Sequence, residues 1–234
     1  MKITGLQKMT LLDYPGRIAC TVFLQGCNFR CPFCHNSDLL GPEGETAISM
    51  EELLSFLETR RRKLDGVCVT GGEPTLHRDL PRLLQTIKDM GFLVKLDTNG
   101  TRPQVLKEIL DAGLVDYVAM DIKNAPDKYA PTCGLSAMDP APIEESIRFL
   151  LAGKVDFEFR TTVVRELHTA QDIVKIGRWL TELSGGKPIR KLFLQPFVDR
   201  DTVVFSGLHA PDSHQMAEFT ELLKSFILDV SVRG

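Results

Sequence analysis

Apolar positions recur along the chain with two periods that alternate. In "SMEELLSFLETRRRK" they fall at Met50, Leu53, Leu54 and Leu57, the i, i+3, i+4, i+7 stripe of an amphipathic helix. Ser49 stands before that stripe with Glu52 three residues on, a spacing that predicts a capping box. Further helical stripes run through Leu80/Leu83/Leu84/Ile87, Leu106/Ile109/Leu110, Ile143/Ile147/Leu150, Ile173/Ile176/Leu180/Leu183 and Met216/Phe219/Leu223/Phe226. Pro103 opens the second of these and Gly113 stops it. Between the stripes lie short, mostly apolar runs: "RIACTVFLQ", "GVCVT", "FLVKLDT", "YVAMDIK", "FEFRTTVV" and "KLFLQPF". Such runs suit parallel strands covered by helices. Six β-α units in strict alternation predict an α/β protein with right-handed crossovers. Residues 41–46 and 124–142 read as two long irregular loops. No linker divides the chain, so one domain over residues 1–234 is expected.

Polar motifs follow the strands. "GCNFRCPFCHN" comes after the first run, "TGGEP" after the second, "DTNG" after the third, and "DIK" closes the fourth. In parallel α/β sheets and barrels, sites form at the carboxyl ends of strands, so these four motifs are expected to share one mouth. Composition adds bounds. At 234 residues, 43% hydrophobic and 25% charged, the chain is ordinary globular material, and a net charge of −3 gives no general affinity for nucleic acid. The basic run at residues 60–63 closes a predicted helix and reads as a solvated helix end. The first residues hold no apolar signal region, and no stretch approaches the ~18 apolar residues of a membrane span, so a cytoplasmic protein is expected.

Three of six cysteines are clustered: Cys27, Cys31 and Cys34, spaced C-x3-C-x2-C. In a cytosolic protein such a cluster reads as metal binding or catalysis rather than disulfides. Thiolates favour zinc or iron-sulfur clusters. A structural zinc site is closed and needs a fourth ligand. His35 directly follows Cys34, a poor position for that, and no second C-x2-C occurs. Three thiolates on a four-iron cluster leave one iron open, and open metal positions are where chemistry occurs.

The cysteine triplet, followed by Gly71-Gly72-Glu73-Pro74 within a β-α alternation, resembles the radical S-adenosylmethionine (SAM) superfamily over nearly the whole chain. "LDYPGRIACTVFLQGCNFRCPFCHN", "DTNG" and "DIK" resemble more particularly the glycyl-radical-enzyme activases, and most closely the anaerobic ribonucleoside-triphosphate reductase activating proteins. The resemblance implies a partial (β/α)6 TIM-like barrel. It implies that Cys27, Cys31 and Cys34 hold one 4Fe-4S cluster and are catalytic through it, with the SAM amino and carboxylate groups on the fourth iron. Reductive cleavage of SAM would give methionine and a 5′-deoxyadenosyl radical, which removes a Cα hydrogen from one glycine of a partner glycyl radical enzyme. A flavodoxin or ferredoxin-type electron donor is implied; neither nucleic acid nor membrane is.

Residue by residue, the resemblance places Phe33 beside the adenine and Asn36 near SAM, with His35 a donor behind the site. Gly71 and Gly72 would allow close backbone approach, Glu73 would meet the SAM ammonium, and Pro74 would stiffen the turn. Asp97, Thr98, Asp121 and Lys123 match positions that help bind a monovalent cation and the SAM carboxylate and ribose. Read without the family, the two aspartates are N-cap or loop acids. Arg160, mid-strand among apolar residues, needs an anion, and the SAM carboxylate is the implied one. Val198 occupies a position where some activases carry a His, with Gln195 as a candidate replacement. Cys20 and Cys68 read as packed core thiols, and Cys133 as a lone loop cysteine without a cluster. Residues 13–16, "DYPG", are either a substrate-orienting stretch or an ordinary turn. Two other functions share parts of the pattern: a small-molecule radical SAM enzyme similar to 7-carboxy-7-deazaguanine synthase, and a zinc-stabilised binding protein.

Overall fold

Along β4 (Leu93–Thr98), Val94 and Leu96 are fully buried in the hydrophobic core, while Lys95 and Asp97 alternate with them onto the other face. The same period of two repeats through the neighbouring strands. Val118 and Met120 of β5 (Tyr117–Asp121) join the core and leave Tyr117, Ala119 and Asp121 on the inner face. Phe159 of β6 (Asp156–Val163) does so and leaves Glu158, Arg160 and Thr162 inside. Successive side chains of a strand point to opposite faces, so each strand supplies one apolar wall and one polar lining. The strands are therefore not uniformly apolar, and their inner faces carry the chemistry.

The computed structural model describes residues 1–41, 47–203 and 205–233. Its eight strands form one sheet in sequential order: β1 (Ile3–Thr10), β2 (Ala19–Leu24), β3 (Gly66–Gly71), β4, β5, β6, β7 (Ile189–Pro196) and β8 (Ile227–Val232). β1 pairs antiparallel with β2, and every later pair is parallel. The helices are α1 (Met50–Arg60), α2 (Leu80–Asp89), α3 (Pro103–Asp111), α4 (Pro126–Thr132), α5 (Ala141–Leu151), α6 (Ala170–Leu183) and α7 (Ser213–Leu223). Leu80, Leu84, Ile87, Ile109, Ile147 and Leu180 are each 0% exposed. Fully burying one such side chain contributes roughly 1.5–3 kcal/mol. The capping box on α1 is formed: Ser49 Oγ accepts from Glu52 N at 3.1 Å, and Glu52 Oε2 accepts from Ser49 N at 2.7 Å. Among the described residues no helix is long and apolar enough to cross a membrane.

The six expected parallel strands are β2 to β7. Two edge strands and one helix escaped the sequence reading. β1 is broken by register shifts between Ile3 and Gly5 and between Gln7 and Thr10, so its alternation is lost. β8 is an edge strand with one buried residue, Ile227. α4 lies in what read as the irregular loop 124–142. Pro126 and Pro131 disguise it, yet Pro126 sits in the first turn, where no N–H is needed. The other expected loop, 41–46, lies outside the described residues except for Gly41. The C-terminal residues are tied inward. Arg233 donates to the fully buried Glu158 carboxylate at 2.8 and 3.2 Å, Tyr117 Oη donates to it at 2.8 Å, and the Arg233 guanidinium lies 3.6 Å from the Phe193 ring centroid.

Candidate active site

The cysteine loop is fixed by backbone contacts that begin at the end of β2. Gly72 N donates to Leu24 O at 2.9 Å and Glu73 N to Gly26 O at 2.8 Å, so the Gly-Gly-Glu turn clamps the root of the loop. A Cβ on Gly71, whose φ is 123°, would come within 2.3 Å of the Leu24 backbone, and one on Gly72 within 2.0 Å of Gly26 O. Only glycine fits either position. The close approach these glycines permit is thus first of all an approach to the cysteine loop itself.

Glu73 is 1% exposed, and its carboxylate accepts from four donors: Thr75 N at 3.0 Å, Thr75 Oγ1 at 2.5 Å, Thr98 Oγ1 at 2.7 Å and Asn99 N at 2.6 Å. It ties the end of β3 to the end of β4. Burial pushes its carboxyl up despite these donors. The side chain expected to meet an ammonium is therefore already engaged. Pro74 is buried and starts a short 3-10 turn, Pro74–Leu76; it stiffens the turn without lining the cavity.

From β4, Asn99 reaches the loop directly. Its Nδ2 donates to Asn28 Oδ1 at 2.9 Å and lies 4.0 Å from Cys27 Sγ, while Asn28 Nδ2 donates to Thr101 Oγ1 at 2.9 Å. Asn99 was not singled out from the sequence, although the "DTNG" motif contains it. Arg30 closes the loop on itself, donating to Cys27 O at 2.6 Å and Phe29 O at 2.7 Å. Asn36 Nδ2 donates to Gly71 O at 3.4 Å. His35 stands on the cavity wall with its ring engaged: its Nε2 meets Val198 O at 2.7 Å and its ring stacks on Phe197 at 5.7 Å. It fastens the chain after β7 to the cysteine loop.

Inside the sheet runs a ladder of charges. Lys95 pairs with Asp97; Arg160 Nη1 donates to Asp97 Oδ2 at 3.0 Å, and its Nε and Nη2 to Asp121 Oδ1 at 3.0 Å; Lys123 donates to Asp121 Oδ2 at 2.9 Å. Burial alone would raise both carboxyls, but Arg160 with Lys95 holds Asp97 below the usual range, and Arg160 with Lys123 holds Asp121 down to about 2. For Lys123, burial favours the neutral amine, and Asp121 and Cys31 outweigh it and raise its pKa. Lys123 Nζ also lies 5.9 Å from the Phe33 ring centroid. Arg160 thus meets two carboxylates of its own chain. Cys68 belongs to this ladder too, its Sγ 3.7 Å from Asp97 Oδ1 and 3.8 Å from Lys95 Nζ, so it is no plain core thiol. Cys20 is one, fully buried among apolar residues.

Cys27, Cys31 and Cys34 are free thiols on the wall of one cavity of about 440 Å³. Phe33, Asn36, Gly71, Gly72, Glu73, Asp97, Thr98, Asp121, Lys123 and Arg160 line the same cavity, which brings every sequence-expected site residue except Pro74 onto one surface. Asp13, Gln195 and Arg200 line it as well. Asp13 Oδ2 accepts from Thr21 Oγ1 at 2.5 Å, which aims the "DYPG" turn inward. Val198 is exposed. Burial pushes the Cys27 thiol up to about 11 and also raises Cys34, whereas a hydrogen bond from Cys133 brings Cys31 down to about 7. No three His, Cys, Asp or Glu side chains among the described residues converge as ligands of one ion. Soft donors spread round a roomy cavity suit a multi-iron cluster better than one tetrahedral zinc.

Fold and cavity have counterparts. Residues 21–180 match the family model of the radical SAM superfamily. A Methanocaldococcus jannaschii protein that carries the provisional name glycyl-radical enzyme activating enzyme is 30% identical over 238 residues, covering 99% of this chain and 95% of the relative. The pyruvate formate-lyase-activating enzyme of Listeria monocytogenes is 28% identical over 200 residues, 80% of this chain and 79% of its own length. Among solved structures, Streptococcus suis SuiB bound to S-adenosylmethionine superposes with a TM-score of 0.67 at 13% identity, over 92% of this chain and 52% of that one, a likeness of fold. The chain belongs to the radical SAM superfamily and, within it, to the glycyl-radical-enzyme activating enzymes. Members of the superfamily work with a 4Fe-4S cluster and SAM.

Proposed function

We propose that the chain is an activase for an anaerobic ribonucleoside-triphosphate reductase, with the cluster on Cys27, Cys31 and Cys34 and SAM beside it in the same cavity. The observation that carries this reading is the convergence of the cysteine loop and the ends of β3, β4, β5 and β6 on one cavity. When bound, the reduced cluster supplies the electron that splits the S–C5′ bond of SAM, giving methionine and a 5′-deoxyadenosyl radical able to take a glycine Cα hydrogen. The rest is the work of side chains. Phe33 offers a ring for the adenine. Gly71 O, which receives a long bond from Asn36, offers the SAM ammonium an acceptor in place of the occupied Glu73 carboxylate. Asn36 and Gln195 offer polar contacts for the ribose, while the Thr98 hydroxyl, bonded to Glu73 and Gly100 N, holds the wall behind them. A flavodoxin or ferredoxin-type protein supplies the electron.

The monovalent cation that the resemblance implies is the part we read differently. Asp97 and Asp121 already have cation partners in the chain, Asp97 with Lys95 and Arg160, Asp121 with Arg160 and Lys123. Carboxylates already paired with cations have little call for an added ion, and Arg160 and Lys123 on the cavity wall can turn toward the SAM carboxylate. SAM affinity is expected to be the same in potassium, sodium and choline chloride at equal ionic strength, measured by equilibrium binding. Binding lost in choline would restore the cation site.

The partner is tested by incubating the reduced protein and SAM with the inactive reductase and, separately, with pyruvate formate-lyase. The expected result is a glycyl radical doublet by electron paramagnetic resonance on the reductase alone. A doublet on the lyase instead would reassign the partner. SAM cleavage that requires a small molecule and leaves both proteins unmodified would make this a small-molecule radical SAM enzyme.

A further inference from the structure

β5 ends at Asp121, with Ile122 N still donating to Arg160 O at 2.8 Å. The residues that follow are held by buried side chains instead of by a neighbouring strand. Tyr129 Oη, from α4, donates to Asp121 O at 3.2 Å. Asn124 is 0% exposed and uses both ends of its amide: Nδ2 donates to Thr132 Oγ1 at 2.9 Å and to Leu167 O at 3.0 Å, and Oδ1 accepts from Ala125 N at 2.8 Å. His168, just before α6, meets Lys123 O at 2.9 Å through its Nε2. Between these anchors stands Lys123, whose ammonium pairs with Asp121 and whose side chain lines the cavity. His168 itself is 2% exposed and does not line the cavity.

The ring is oriented by its own turn. Leu167 N and His168 N donate to Val164 O at 3.1 and 3.0 Å, and Val164 N donates to His168 Nδ1 at 3.1 Å. A backbone N–H only donates, so Nδ1 carries no proton, and the proton of the neutral ring sits on Nε2 and is given to Lys123 O. Nδ1 also lies 3.3 Å from Val164 O, with no proton to offer it. Burial lowers the imidazole pKa and keeps the ring in this neutral form. We propose that His168 is a positioning residue for the SAM site: its Nε2–H fixes the Lys123 carbonyl, and with it the place of the Lys123 ammonium on the cavity wall, where that ammonium meets the SAM carboxylate. The proposal rests on the reading that SAM occupies this cavity. A binding side chain carried on backbone beyond its strand is only as well placed as the hydrogen bonds behind it. A ring that merely fastened the start of α6 to the sheet would contribute stability without acting on SAM through Lys123.

The test uses the anaerobically reconstituted full-length protein and two readouts, iron content and SAM affinity by equilibrium binding. A wild-type protein that loads iron and binds no SAM removes the underlying reading, and this role with it. His168→Leu, which leaves the Lys123 carbonyl without its donor, is expected to load iron as the wild type does. Its SAM affinity is expected to fall about tenfold, the lower end of what a supporting hydrogen bond is worth behind the ligands of metal sites. His168→Gln, which carries both a donor and an acceptor, is expected to keep the wild-type affinity. The route through Lys123 is read from a double-mutant cycle: in a Lys123→Met background, His168→Leu is expected to change SAM affinity no further. If the leucine variant fails to fold, His168→Met carries the comparison. Unchanged affinity in the donorless variant overturns the proposal, as does a glutamine variant as weak as the leucine one, or loss of iron from a folded variant. Equal losses with and without Lys123 also overturn it, because the ring then acts on the site by another route than that lysine.

Discussion

Arg160→Met is expected to destabilise the protein by about 3–5 kcal/mol at neutral pH, the usual cost of leaving buried charges without their partner. Among the described residues the guanidinium is the one group paired with both Asp97 and Asp121, and all three side chains are largely buried. Lys95 and Lys123 remain, one for each carboxylate, which sets the lower end of the range. For a chain of this size each kcal/mol lowers Tm by roughly 2–4 °C. The pH dependence distinguishes charge from packing. In the wild type both carboxyls are held below the usual range, Asp121 at about 2, so their contribution is complete above the unfolded value and is lost as pH falls toward the folded one. Without Arg160 the buried carboxyls rise instead, and the variant's deficit is expected to shrink as the pH is lowered from 7 toward 5. Thermal unfolding across that interval checks this; a deficit that stays constant with pH would make the loss one of packing alone.

The second large effect is expected from Cys34→Ala. Cys34 is only partly buried and its backbone N–H, which donates to Cys31 O at 3.1 Å, does not depend on the side chain. The fold is therefore expected to survive with little change in circular dichroism or Tm of the apo-protein. Cluster content and SAM cleavage are expected to fall to background. A variant that retained the cluster and cleaved SAM would remove Cys34 from the ligand set.

The six inner strands and six of the seven helices were legible because their periods are clean. The glycine-glycine-glutamate turn and the cysteine loop were legible as motifs. Partnership was not. Thr75 is a local partner, but nothing local says that Glu73 is also filled by Thr98 and Asn99, because these two of its four donors meet it only once β3 and β4 lie side by side. Arg160 likewise reads as a cation in want of an anion; parallel register puts it opposite Asp121. The polar inner face was visible in principle, since "LVKLDT" and "DFEFRTTV" alternate with period two, but the apolar half of each run dominates a composition-based reading. Cys133 sat in a stretch whose prolines hid α4, and with the helix went the backbone bond that Arg30 N of the cysteine loop donates to Cys133 O.

Tyr14 shows how far the polar interior extends. Its ring lies 6.0 Å from that of Tyr117, whose hydroxyl donates to Glu158, and burial pushes the Tyr14 hydroxyl well above its ordinary range. Glu158 with Arg233 and the tyrosines thus lies apart from the cavity, while the thiols share its wall with the ion pairs of Asp97, Asp121, Arg160 and Lys123.

The most direct measurement is the paramagnetic resonance spectrum of the reduced, anaerobically reconstituted protein recorded with and without SAM. Three protein thiolates and a vacant iron predict a 4Fe-4S signal that changes shape when SAM is added. A protein that binds no such cluster, or whose signal is indifferent to saturating SAM, would contradict the account at its root.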